Sequence, residues 1–93
     1  MMTIWKFPLK IADQQFLRVP SGSKAISAQS QGRDVYLWAT VDTDKANMGV
    51  DVSVWIHGTG HCADMAVRYG RHLSTVQIDE GVLIFHVFVG KDF

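Results

Sequence analysis

The chain has 93 residues, 47% hydrophobic and 19% charged, which provides for one hydrophobic core and excludes the polar composition of disordered proteins. Nine Lys and Arg balance nine Asp and Glu; this neutrality removes the basic face that duplex DNA requires and weakens the self-repulsion that opposes a homo-oligomer. A lone cysteine, Cys62, rules out an intramolecular disulfide, and Met1 to Leu9 reads neither as a secretory signal nor as a membrane span, so the expected location is cytoplasmic, with no membrane partner.

Aromatic and β-branched residues gather in short runs between Gly, Asp and Pro, which favours strands. Thr3 to Leu9 reads as the first strand, with Thr3, Trp5, Phe7 and Leu9 on one side. Pro8 confines its end to a sheet edge or bulge. Gln15 to Val19 is a short second strand. After Pro20-Ser21-Gly22, Lys24 to Gln31 forms a third, with Ile26 and Ala28 assigned to one face and Ala25, Ser27 and Gln29 to the other. Gly32-Arg33-Asp34 turns into Val35 to Val41, which is apolar on both faces and therefore central.

Asp42 to Gly49 is polar and reads as a surface loop. Val50, Val52, Val54 and Ile56 then alternate with Asp51, Ser53, Trp55 and His57, which is the clearest period of two in the chain. Cys62 to Arg71 suits a single helical turn or an irregular crossing. Leu73 to Ile78 and Val82 to Val89 close the chain as a hairpin around Asp79-Glu80-Gly81. Seven strands in 93 residues predict one mainly β domain over residues 1–93: a compact antiparallel sandwich or partly open barrel with at most one short helix.

Gly58-Thr59-Gly60 between His57 and His61 is the most unusual segment. Glycines at a strand end permit positive φ and close backbone approach, so the amides can form a nest for a phosphate or carboxylate, with Thr59 adding a hydroxyl and the two His rings standing by. The same residues also suit a tight turn with two incidental histidines. Zinc on His57, His61 and Cys62, with His72 or His86 as a fourth ligand, is disfavoured: the glycines oppose the helix that His residues four apart require, and no Glu follows His57. No metal or other cofactor is expected.

Ser74, Thr75 and Cys62 are nucleophile types, and Asp64 or Asp79 could orient a histidine base. The chain nevertheless lacks a Gly-x-Ser-x-Gly elbow, and Glu80 has no carboxylate partner, so no catalytic residue is assigned. Trp5, Trp38 and Trp55 offer flat surfaces for a base or sugar if they are not core. His86 suits a buried, hydrogen-bonded position unless it meets the glycine loop across the sheet. Lys6, Arg68 and Arg71 could pair with phosphates or stand as solvated surface.

The segments Ile4-Trp5-Lys6-Phe7-Pro8-Leu9, Gly58-Thr59-Gly60-His61 and Phe85-His86-Val87-Phe88 resemble a family of small, largely uncharacterised tailed-bacteriophage proteins. Leu37-Trp38-Ala39-Thr40-Val41-Asp42 and Thr75-Val76-Gln77 extend the likeness across most of the chain. Thr40 stands where the family pattern is usually apolar. The resemblance implies viral origin and brings no catalytic activity with it; accessory phage proteins of this size commonly work by binding.

The leading expectation is a non-enzymatic phage accessory protein, acting in the host cytoplasm, that sequesters a small, anionic, nucleotide-derived immune signal in a pocket between protomers. Its expected ligand-binding residues are Trp55, His57, Gly58, Thr59, Gly60, His61, Trp5, His86, Arg68 and Arg71. The alternatives are a protein-interaction module that inhibits a host protein or joins the virion, and a hydrolase that degrades such a signal.

Overall fold

Alternating apolar and polar side chains produce seven strands in the computed structural model, which describes residues 1–93. These are β1 (Met2–Leu9), β2 (Gln15–Pro20), β3 (Lys24–Gln31), β4 (Asp34–Asp42), β5 (Gly49–Gly58), β6 (Gly70–Ile78) and β7 (Leu83–Gly90). A short helix, α1 (Asp64–Tyr69), precedes β6, and a 3-10 turn at Thr43–Lys45 lies in the polar loop. The strands form two antiparallel sheets, β1-β4-β3 and β2-β5-β7-β6, in a sandwich-like arrangement with open edges. No helix is long and apolar enough to cross a membrane.

Every strand contributes to one core. Leu9, Val19, Ala28, Val35, Leu37, Val54, Ile56, Val76, Val87 and Val89 pack in a single cluster between the sheets. The central position expected for Val35 to Val41 is found: β4 lies between β1 and β3, and Val35, Leu37, Ala39 and Val41 are buried. β1 is an edge strand, which accommodates Pro8 because the missing N–H costs no interior ladder bond. On that sheet's outer side, the Lys6 ammonium lies 4.1 Å from the Tyr36 ring centroid and contacts Gln31 Oε1, so it does not stand free for a phosphate.

The face assigned to Ile26 is corrected. Ala25 pairs with Ala39 and Ser27 with Trp38, leaving Ile26 as the extra residue of a bulge. Ala25 and Ala28 are therefore both buried, while Ile26 is exposed, because an inserted residue restores the same face after three positions instead of two. β6 carries a matching irregularity between His72 and Ser74. The two bulged strands meet where the sheets close on one another: Ala28 N–H donates to Ser74 Oγ at 2.9 Å and Ser30 Oγ donates to Gln77 O at 2.7 Å.

On the other side of the sandwich, the chain passes from β1 to β2 between sheets. Gln15 clamps this crossing with both ends of its amide, accepting from Lys10 N–H at 3.0 Å and donating to Lys10 O at 2.6 Å. Ile56 N–H donates to Ala12 O at 3.3 Å, which holds the crossing beside the end of β5. That contact brings residues 11–14 to the region singled out in the sequence.

Candidate functional site

Trp55 and His57 lie two residues apart on β5, on the opposite face from the core residues Val54 and Ile56. This outward face would ordinarily be wet. Here Trp55 is only 5% exposed and His57 8%. Part of the cover is the junction of α1 and β6, where Gly70 has no side chain: a Cβ there would lie 2.8 Å from Trp55 Cζ3. The indole rests against backbone that any larger residue would hold away.

Two adjoining depressions share Trp55, Gln14 and Met65 in their linings. The larger, of about 590 Å³, runs from Trp55 past Tyr69 and Ser53 to Ser23, Lys91 and Asp92. The smaller, of about 270 Å³, includes Asp13, His57, Cys62 and Asp64. Together they form a groove of nucleotide-like size, within the roughly 300–1,000 Å³ usual for small-molecule sites. Trp55 Nε1 and His57 Nδ1 are both buried without a hydrogen-bond partner. The carboxylate nearest His57 Nδ1 is that of exposed Asp13, at 3.6 Å, which is too long for a hydrogen bond.

The glycine segment is a closed turn. His61 N–H donates back to Gly58 O at 3.1 Å, and Gly60 takes φ +86, the left-handed conformation a type II turn demands at its third residue. Thr59 Oγ1 lies 2.7 Å from His86 Nε2, so His86 does meet this loop across the sheet. His86 Nδ1 lies 3.0 Å from Thr75 Oγ1, which lies 3.0 Å from His72 Nε2. The β6 bulge places His72 on the same face as Thr75 although the two are three residues apart.

Two proton orders satisfy this whole chain: Thr59 donates to His86, whose Nδ1–H donates to Thr75, whose hydroxyl donates to His72, or every bond runs in reverse. The Thr59–His86 pair has the spacing of a nucleophile and base. Its second imidazole nitrogen, however, meets a threonine hydroxyl where a nucleophile activated in this way has an orienting carboxylate.

The remaining expected residues separate. Arg68 is exposed on α1 and lines a small depression with Asp64 and Met65. Arg71 is committed to the sheet seam, where its guanidinium donates to Ala25 O at 3.2 Å and Phe93 O at 2.8 Å. Trp5 belongs to the other sheet, beside Phe7, and lines neither depression. No group of three or more His, Cys, Asp and Glu side chains is arranged to hold a metal ion.

Sequence reasoning missed Asp13, Gln14, Met65, Tyr69, Lys91 and Asp92 as lining residues. They come from three separate stretches with no shared motif. The one available signal was Trp55 and His57 sharing a strand face otherwise occupied by Asp51 and Ser53.

The fold and groove define a small two-sheet antiparallel β domain with a concave site built on the outer face of one sheet. The chain belongs to the family described as a domain of unknown function, DUF7352, which matches residues 1–93. No curated protein and no solved structure matches it.

Proposed function

We propose that this protein is a non-enzymatic accessory protein of bacteriophage origin that binds a small nucleotide-derived immune signal in the host cytoplasm and withholds it from its receptor. The observation that carries the binding reading is the pair of unpartnered polar atoms, Trp55 Nε1 and His57 Nδ1, in the two residues that floor the groove. Both atoms are covered in the free protein; a buried polar group without a partner costs about 1–3 kcal/mol, and a ligand that shifts the covering side chains and supplies the missing bond recovers part of that cost. The phage assignment rests on the resemblance of the Ile4 to Leu9, Gly58 to His61 and Phe85 to Phe88 segments.

Binding moves from the glycine turn to the groove beside it. Gly58 through His61 close a turn that delimits the end of β5, and Lys91 and Arg68 are the cations placed to meet a phosphate at the groove's margins. Isothermal titration against cyclic nucleotides and ADP-ribose derivatives tests the reading. It predicts saturable binding of at least one of them, lost on Trp55→Ala in a variant that retains the native circular dichroism spectrum; a folded wild-type protein that binds none of them contradicts it.

A second reading has its own observation. Met2, Ile4 and Trp5 are exposed on the unpaired edge strand β1, a surface suited to a protein partner. A host protein retained on a column of the Trp55→Ala variant and released by Ile4→Lys would favour that module.

A further inference from the structure

We propose that His72 and His86, with Thr75 between them, bind one divalent transition-metal ion of the class that imidazole prefers, zinc or nickel, on the outer face of the four-stranded sheet. The site stands apart from the groove and does not depend on a ligand there. Both imidazoles converge on one atom: His72 Nε2 and His86 Nδ1 each lie 3.0 Å from Thr75 Oγ1. The two nitrogens are therefore at most twice that distance apart. Strand register supplies the convergence, because Thr75 pairs with His86 and His72 with Phe88 across β6 and β7, and the bulge between His72 and Ser74 turns His72 onto the face of Thr75.

A zinc–nitrogen bond is about 2.0–2.1 Å long, so two imidazoles sharing a tetrahedral ion hold their ring centroids roughly 5 Å apart. The His72 and His86 centroids are 6.3 Å apart. That difference is within reach of small side-chain rotations. His72 and Thr75 are exposed and His86 is half-buried, so an ion arrives from solvent and water fills the coordination positions that the protein leaves open. Phe88 meets the His72 ring edge-on, with centroids 5.3 Å apart, which limits the orientations the free ring samples.

Thr59 supplies a second, independent observation. A metal-bound histidine almost always donates its other ring N–H to a neighbouring acceptor, which fixes the tautomer. Thr59 Oγ1 lies 2.7 Å from His86 Nε2, the nitrogen remote from Thr75. When His86 Nε2–H donates to Thr59, the Nδ1 lone pair is directed at Thr75, and His72 with its proton on Nδ1 aims a second lone pair at the same point. Thr75 has one hydroxyl proton and satisfies only one of them. A cation satisfies both. No third His, Cys, Asp or Glu joins the pair, so the third protein donor is the neutral Thr75 hydroxyl, and the ion is held more weakly and exchanged more freely than in a closed four-ligand site.

Isothermal titration of the wild-type protein, first stripped of metal with a chelator, with zinc and with nickel tests the site. One ion is expected to bind per chain, and magnesium and calcium are expected to give no response, since these hard cations take oxygen ligands. Thr59→Val removes the acceptor for His86 Nε2–H and is expected to weaken binding about tenfold, the lower end for loss of such an outer partner. His72→Ala and His86→Gln are each expected to weaken it further. His61→Ala and Cys62→Ser should leave it unchanged. All variants are compared by circular dichroism, and the His72 side chain is exposed, so its removal leaves the core intact.

A folded wild-type protein that binds neither ion saturably overturns the proposal. Binding that survives His72→Ala overturns it as well. Binding abolished by Cys62→Ser or His61→Ala likewise overturns it, because the ion would then sit at the glycine turn.

Discussion

A Cβ added at Gly70 would lie 2.7 Å from Val89 O, 2.8 Å from Trp55 Cζ3 and 2.9 Å from Ala66 O, whereas one at Gly58 would meet nothing nearer than His61 Cε1 at 3.5 Å. The contrast separates two glycines that look alike as letters. Gly70→Ala must displace backbone or the buried indole, and is expected to cost about 3 kcal/mol, in the upper range for overpacking. Gly58→Ala should cost under about 1 kcal/mol, because Gly58 has no positive φ to lose and has ordinary room for a methyl group. Urea denaturation of the two variants checks both values, and equal losses would contradict this packing. The sequence drew attention to Gly58 because a motif surrounds it. Gly70 carries the tighter constraint, which depends on β7 and α1 approaching from elsewhere in the chain.

Also at residue scale, the Asp44 backbone N–H donates to Asp42 Oδ1 at 3.0 Å and holds the Asp42 carboxyl below the usual carboxylate range. Partial desolvation opposes this shift, and the Met1 ammonium and Lys45 reinforce it. A carboxyl lowered on folding stabilises the native state above its unfolded pKa, and that contribution disappears as pH falls through the lower folded value. Asp42→Asn should therefore flatten the stability profile between roughly pH 5 and pH 2 relative to wild type. Thermal melts across that range provide the measurement, and identical profiles would remove Asp42 from the acid response.

At the scale of elements, the strands were readable because one face of each is apolar, and a period of two survives in β4 and β5 almost unbroken. β3 misled for a specific reason. The inserted Ile26 resets the phase, so Ala25 and Ala28 point inward together, and no residue type in Lys24 to Gln31 announces the insertion. The partner bulge in β6 was equally hidden, yet it aligns Ser74 with Ala28 and His72 with Thr75. A substitution pair exposes the phase directly. Ile26→Thr is expected to change stability by less than about 0.5 kcal/mol, as exposed substitutions do, whereas Ala28→Leu forces three extra carbons into the core and should cost about 3 kcal/mol. The reverse order of losses in a denaturation series would restore the unbulged strand.

For the whole molecule, the fold class followed from composition and turn spacing, while the site followed only in part. Trp55 and His57 could be placed on one strand face, but their burial could not, because it is supplied by residues 11–14 from the sheet crossing and by α1. The same long-range assembly explains why Arg68 and Arg71, close in sequence, part company: one lies at the groove's margin, and the other fastens the seam between sheets. Thr59 and His86 are joined across the sheet end, which gives the glycine turn a fixed edge and assigns its hydroxyl to the fold.

The central claim is that a ligand settles on the floor of the groove and supplies the bond that Trp55 lacks. Nitrogen–proton correlation spectra resolve the three indole N–H groups, and Trp55→Phe identifies the one in question. During titration with a nucleotide or nucleoside that binds, the Trp55 indole resonance is expected to shift most among the three, with Trp5 and Trp38 nearly unchanged. Saturable binding that leaves the Trp55 resonance in place, or that moves Trp5 instead, would contradict the account.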